Sequence, residues 1–172
     1  MDSHRLRGLS ASFKRALLED TLPFWIDHCV DRRYGGFATF VDRRGEALSG
    51  DKGGWVQGRF SWLLARLYNT LERRPEWLEL SRHGIEFIER RGMSPEGRVY
   101  FTLTREGRPL RLRRYIYAET FAAIAFAEYG RAAGDGGRVE RARSLMVLVE
   151  RLLATPGALS PKFFPEAFQA RS

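Results

Sequence analysis

The residues best suited to meet a ligand stand in one string, Asp51-Lys52-Gly53-Gly54-Trp55-Val56-Gln57-Gly58-Arg59. Trp55 and Arg59 are four residues apart, so on a helix they share a face. Arg66 lies a further seven residues on, in register to join them. An indole stacks on a sugar ring, and a guanidinium donates to hydroxyl or carbonyl oxygens. The same spacing also suits a core tryptophan beside a surface or ion-paired arginine. A second string, Arg114-Tyr115-Ile116-Tyr117-Ala118-Glu119-Thr120-Phe121, offers Tyr117 and Glu119. Tyr117 is expected either to line a ligand site or to pack. Glu119 either accepts hydrogen bonds from a substrate or pairs with Arg59 or Arg114.

The other chemically capable side chains form no recognised constellation. His4, His28 and His83 show neither His-x-x-x-His nor Cys-x-x-Cys spacing, so no metal site is expected. His4 falls in a terminus expected to be mobile, and His28 and His83 fall on helices. No glycine-rich phosphate loop and no nucleophile elbow occurs, and no cofactor is expected. A glycoside hydrolase would need two carboxylates across a pocket. Asp31 and Glu119 are the available pair, with nothing in the sequence to fix their separation.

These residues need elements to hold them, and hydrophobic periodicity supplies the plan. A helix is expected from about Ser10 to Cys29, kinked or broken at Pro23. A second runs from about Gly54 to Leu71. A third opens at Pro75, a good first-turn residue, and ends near Gly92. Two more are expected near 115–133 and 138–153. Between them, residues 36–41 and 98–103 alternate and meet the turn signals Asp42-Arg43-Arg44-Gly45 and Thr104-Arg105-Glu106-Gly107. Each reads as a short β-hairpin.

The elements recur. A shift of 62 positions lays Gly35 on Gly97, Gly45 on Gly107, Leu48 on Leu110, Trp55 on Tyr117 and Gln57 on Glu119. Each unit is an outer helix, a hairpin and an inner helix. Such units bury their faces only by stacking on neighbours, in an open solenoid or a closed ring. In a ring the inner helices open towards one mouth, where a ligand would sit. The third unit has its outer helix and then a breaker-rich loop from Pro156 to Pro161. Residues 1–172 therefore read as one partial barrel domain. Phe121, Ile124 and Phe126, with Leu145, Leu148, Val149 and Leu152, are expected to leave an apolar face exposed and to drive homodimerisation or other self-association.

Composition narrows the classes. Hydrophobic residues are 44% and aromatics 13% of the 172, enough for a packed core. No long uncharged apolar run suggests a membrane span, and the N-terminus lacks a signal-peptide pattern. The single cysteine, Cys29, fits a reducing, cytoplasmic setting. The net charge of +8 is spread along the chain and carried almost wholly by arginine, so no nucleic-acid partner is expected.

Several strings resemble the N-acylglucosamine 2-epimerase family, also called renin-binding protein. They are Tyr34-Gly35-Gly36-Phe37, Arg44-Gly45, and Lys52-x-x-Trp55-x-Gln57-Gly58-Arg59. Val99-Tyr100-Phe101-x-Leu103, Gly107-x-Pro109, Arg114-x-Ile116-Tyr117-x-Glu119-x-Phe121 and Pro161-Lys162-Phe163-Phe164-Pro165-Glu166 continue the likeness. The resemblance implies an all-α fold, the N-terminal part of an (α/α)6 barrel, a six-hairpin toroid with short β-hairpins between helices. It implies epimerisation or isomerisation of an open-chain sugar, with a proton removed beside the carbonyl and returned. Trp55, Arg59, Tyr117 and Glu119 are the expected substrate-binding residues. The two histidines that the family uses as acid and base have no counterpart here, so this chain is expected to be inactive alone. A non-catalytic binding or dimerisation module is the alternative.

Overall fold

The computed structural model describes residues 3–112 and 115–159. Helix α1 spans Ser3–Ala16 and passes through a π-helical turn, Leu17–Thr21, into α2, Leu22–Cys29. The run therefore begins earlier than the sequence suggested, and His4 is helical. Pro23 does not break it. The Leu22 N–H bonds back to the Leu17 carbonyl, widening the turn, and Pro23 falls in the first turn of α2, where a missing N–H costs little.

After α2 come β1 (Phe40–Val41), β2 (Ala47–Ser49) and β3 (Lys52–Gly53), then α3 (Gly54–Thr70). Helix α4 (Pro75–Phe87) opens with its proline after an extended Arg74 and ends in a second π-turn, Ile88–Gly92. Strands β4 (Tyr100–Leu103) and β5 (Pro109–Leu112) precede α5 (Tyr117–Ala133). Gly134, in the left-handed region at φ 67°, ends α5. The Asp135 carboxylate then accepts from the Arg138 N–H and starts α6, Gly136–Ala154.

The 62-residue repeat is visible in the backbone. Val30 bridges to Phe37 in the first unit, and Met93 to Val99 in the second. The turn glycines Gly45 and Gly107 sit at φ 87° and 88°, and each donates 3.0 Å to its turn opener, Asp42 or Thr104. A side chain is strained at that φ, which explains why glycine recurs there. Strands β1 and β2 form a two-stranded antiparallel sheet. Strands β3, β4 and β5 form a second sheet, in which Lys52 pairs with Leu103 and Gly53 with Thr102. The strand that follows the first hairpin is thus hydrogen-bonded to the second and stitches the two units together.

Two cores follow the helix pairs. Leu22, Phe37, Leu64, Trp77 and Leu80 pack where α2, α3 and α4 meet. Ala65, Ile85, Val99, Ala122, Phe126 and Leu145 pack around α5. The expected exposed face at α5 and α6 is smaller than the sequence suggested, because Phe126, Leu145 and Val149 are buried and only Ile124 of the seven is exposed. The two helices cover each other. Met146, Val147 and Leu153 of α6 are exposed as well, and a second set of exposed apolar residues lies at the other end of the array. There α1 buries no residue, and Leu6, Leu9, Phe13, Trp25, Phe40 and Leu48 are all exposed. No helix among the described residues is long and apolar enough to cross a membrane.

Candidate functional site

The string from Lys52 to Arg59 divides into residues that build and residues that face space. The Lys52 side chain is fully buried. Its Nζ donates to Asp31 Oδ2 (3.0 Å), the Gly35 carbonyl (2.6 Å) and the Arg105 carbonyl (2.7 Å), and lies over the Phe87 ring. Three donors meet three acceptors, so the ammonium is fully satisfied although it has no water. Asp31 also accepts from Arg105 Nε (3.0 Å) and from the Arg33 and Tyr34 N–H groups. Burial alone would raise its carboxyl, but the bonds from Arg105, Lys52 and Tyr34 and the charge of Lys52 outweigh that. They hold its pKa at about 2. The hub joins the turn after α2 and the β4–β5 turn to the strand that leads into α3.

Gly54 and Gly58 permit close approach. A Cβ on Gly54 would strike the Tyr100 carbonyl oxygen. One on Gly58 would lie 2.6 Å from the Phe121 carbonyl carbon and 2.8 Å from the Ala122 nitrogen, so α3 crosses α5 there with backbones nearly touching. Gln57, fully buried, grips the hairpin. The Phe37 N–H donates to its Oε1 (2.7 Å), and its Nε2 donates to the Phe37 carbonyl (2.8 Å).

Trp55 and Arg59 are left free of these duties, and both line a cleft of about 610 Å³. Its walls come from the π-turn and α2 (Thr21, Trp25), the strand edge at Thr39 and Phe40, and α3 (Phe60, Trp62). Among the described residues, Arg59 is the only charged one in the lining. Its guanidinium sits 6.0 Å from the Trp55 ring and 5.8 Å from the Phe121 ring, within reach of both faces. A cation on aromatic walls suits a hydroxylated ring compound with a polarisable oxygen. Cys29 also lines the cleft, and burial pushes its thiol up to about 11, which makes it a poor nucleophile.

The expected residues Trp55 and Arg59 therefore come together, while Tyr117 and Glu119 do not join them in the cleft lining. Tyr117 is 60% exposed and stacks near Tyr115, with centroids 6.0 Å apart. Glu119 is fully buried, and among the described residues its partner is Arg98 rather than Arg59. Arg98 Nε donates to its Oε1 (2.6 Å), as does the Val99 N–H (3.1 Å). Val99 is the repeat mate of Phe37, so Glu119 does in the second unit what Gln57 does in the first. Its Oε2 is buried without a hydrogen-bond partner among the described residues. Asp31 and Glu119 are both committed to ion pairs, so this couple is not free for glycoside hydrolysis. His83 Nε2 lies 3.0 Å from the Gly36 carbonyl, and His28 packs on Phe24. Arg114 and the string from Pro161 to Glu166 lie outside the described residues. Sequence reasoning quoted Lys52 only as part of a motif and missed its hub, although an isolated lysine so close to Gly53-Gly54 was a signal.

Comparison with known proteins follows the same lines. A family model for N-acylglucosamine 2-epimerase matches residues 35–167. The bovine N-acylglucosamine 2-epimerase (Bos taurus) is 38% identical over 75% of this chain and 32% of its own length. The cellobiose 2-epimerase of Bacteroides fragilis is 30% identical over 74% of this chain and 33% of its own. Among solved structures, the cellobiose 2-epimerase of Bacillus thermoamylovorans superposes with a TM-score of 0.77 at 25% identity, covering 84% of this chain and 37% of that one. A sugar epimerase from a ruminal bacterium superposes at 0.75 with 29% identity, covering 82% and 36%. The solved cellobiose 2-epimerases are (α/α)6 barrels. The chain spans about a third of the length of the curated relatives it matches.

Proposed function

The chain belongs to the N-acylglucosamine 2-epimerase family, and from that premise we propose that it forms the sugar-holding part of a carbohydrate epimerase or isomerase. The supporting observation is Arg59, the only charged side chain among the described residues lining a mostly apolar and aromatic cleft, in the string by which the chain resembles the family. In this reading residues 1–172 are the first part of a six-hairpin barrel. Trp55 offers the open-chain sugar a stacking face. Arg59 donates to its carbonyl oxygen, where negative charge grows as the neighbouring proton leaves. Arg59 stays protonated and so cannot be the base. The family resemblance implies two acid–base histidines that His4, His28 and His83 do not match, so in this reading the two proton transfers fall to residues outside this chain. Tyr117, exposed and outside the cleft lining, takes no part in this reading. Glu119 acts through Arg98 and Val99 by holding the second hairpin.

Saturation-transfer NMR with N-acetylglucosamine and with cellobiose tests the binding half of the proposal, and an epimerisation assay tests the other half. The expected outcome is weak binding that Arg59→Ala removes, without turnover by the chain alone. Unchanged binding in Arg59→Ala would overturn the role of Arg59, and turnover by the chain would overturn the division of labour.

A further inference from the structure

Arg59 is exposed, and among the described residues it forms no ion pair and donates no hydrogen bond. A long side chain in that condition has rotamer freedom, which a ligand must remove when it fixes the head group. Two rings already restrict it. The guanidinium carbon lies 6.0 Å from the Trp55 centroid and 5.8 Å from the Phe121 centroid, and the two centroids are themselves 6.0 Å apart. The three points form a nearly equilateral triangle, so the guanidinium is not held between parallel faces. It rests over the notch between two rings tilted at 46° to each other. Trp55 stands one turn back on the same helix. Phe121 comes from α5, and the Gly58 crossing delivers it, because the Phe121 backbone touches the residue next to Arg59. Phe121 does not line the cleft, so it reaches a ligand there only through Arg59. A shift of 62 positions lays Arg59 on Phe121, so the second unit supplies a ring at the register where the first supplies the charge.

We propose that Phe121 is a positioning residue for Arg59. Together with Trp55 it holds the guanidinium over the cleft and leaves the N–H donors open to ligand oxygens. A carboxylate partner would also orient an arginine, but it would occupy donors and cancel the charge. Ring faces attract the cation through their quadrupoles and add no oxygen acceptor. Arg66, further along α3, shows the other arrangement, since it pairs with Glu128 at 3.7 Å. Of the two arginines, Arg59 is therefore the one kept charged, oriented and unpaired. The functional consequence rests on the reading of Arg59 as the group that meets the sugar, whereas the placing of its guanidinium by two rings does not.

Two variants of the whole chain test it. Phe121→Leu removes the ring and keeps an apolar side chain, and Phe121→Tyr keeps the ring. The first readout needs no ligand and follows the Arg59 δ-methylene and Nε–H proton resonances. Ring currents are expected to hold them upfield of those of an exposed arginine such as Arg32. Phe121→Leu should move them towards the Arg32 values, and Phe121→Tyr should leave them in place. The second readout is the dissociation constant for N-acetylglucosamine, from chemical-shift titration. It should rise about threefold to fivefold in Phe121→Leu and match wild type in Phe121→Tyr. Arg59 resonances that are not upfield in wild type, or that Phe121→Leu leaves unmoved, overturn the proposal. Equal affinity in Phe121→Leu and wild type overturns it too, as does an equal loss in Phe121→Tyr. If circular dichroism shows Phe121→Leu unfolded, Phe121→Met takes its place in both readouts. Absence of N-acetylglucosamine binding by wild type would sink the sugar reading alone, and the resonances would still decide the positioning.

Discussion

Replacing Gly58 by alanine sets two opposed effects against each other. In an exposed helix interior the change gains about 0.5–1 kcal/mol, because glycine loses more backbone freedom on folding. At Gly58 the new methyl would lie 2.6 Å from the Phe121 carbonyl carbon, 2.7 Å from its oxygen and 2.8 Å from the Ala122 nitrogen. All three are backbone atoms, so no rotamer change relieves them, and α3 and α5 must separate. Separation loosens Ala65, Ala118, Ala122 and Phe126, which are buried around this crossing. Overpacking of a tight core costs about 1–3 kcal/mol, and a backbone collision belongs at the upper end. The net expectation is a loss of about 2 kcal/mol, or about 4–8 °C in melting temperature for a chain of this size. Urea titration followed by far-ultraviolet circular dichroism measures it. Gly8 is the matched control, because its Cβ would meet nothing within 4 Å. Gly8→Ala should raise the helicity of α1 and leave the main transition unmoved. A Gly58→Ala midpoint equal to or above wild type would refute the claim that backbone contact fixes this crossing.

Lys52→Met should cost about 3 kcal/mol by urea titration, since it strips a buried charge partner from Asp31 and leaves the Gly35 and Arg105 carbonyls unsatisfied. A loss below about 1 kcal/mol would mean that the hub does not hold the turn after α2 to the β4–β5 turn. Asp31, held at about 2 against an ordinary 3.8, contributes about 2 kcal/mol that is complete above the ordinary value and is lost as pH falls through its own. Acid titration of Asp31→Asn should therefore show a smaller fall in stability between pH 4 and pH 2 than wild type. Cys29, raised to about 11, should react with iodoacetamide at pH 8 on the order of a hundredfold more slowly in the folded chain than in urea, by mass spectrometry. Equal rates would place the thiol in water.

The repeat made the fold legible. Once Gly45 is laid on Gly107 and Gln57 on Glu119, the order of helices and hairpins follows, and α3 and α4 begin where Gly54 and Pro75 suggest. The shared helix face of Trp55 and Arg59 was legible from their spacing, whereas a ligand role was not, because the same spacing suits a core tryptophan beside a surface arginine. The partner of Glu119 was not, because an ion pair is chosen by distance across the fold. Arg98 reaches it from the hairpin, whereas Arg59 turns to Trp55 and Phe121. The repeat held the clue, since Gln57 grips the residue equivalent to Val99. Lys52 was hidden for a related reason. A buried ammonium needs acceptors from three separate places, and no local pattern announces that Asp31, Gly35 and Arg105 converge. The extent of α1 was missed because it has no buried face, so no apolar stripe had to be present to mark it.

The crossing at Gly58 also bears on how the chain emerges from a ribosome. Gly58 meets Phe121 and Ala122, which are made some sixty residues later. At 5–20 residues per second, α3 therefore waits roughly 3–12 s for the helix that covers it. During that interval Ala65, fully buried in the finished fold, has no partner on α5. Newly made α3 is thus a stretch on which a ribosome-bound chaperone can act, and a translational pause between residues 71 and 117 would extend that interval.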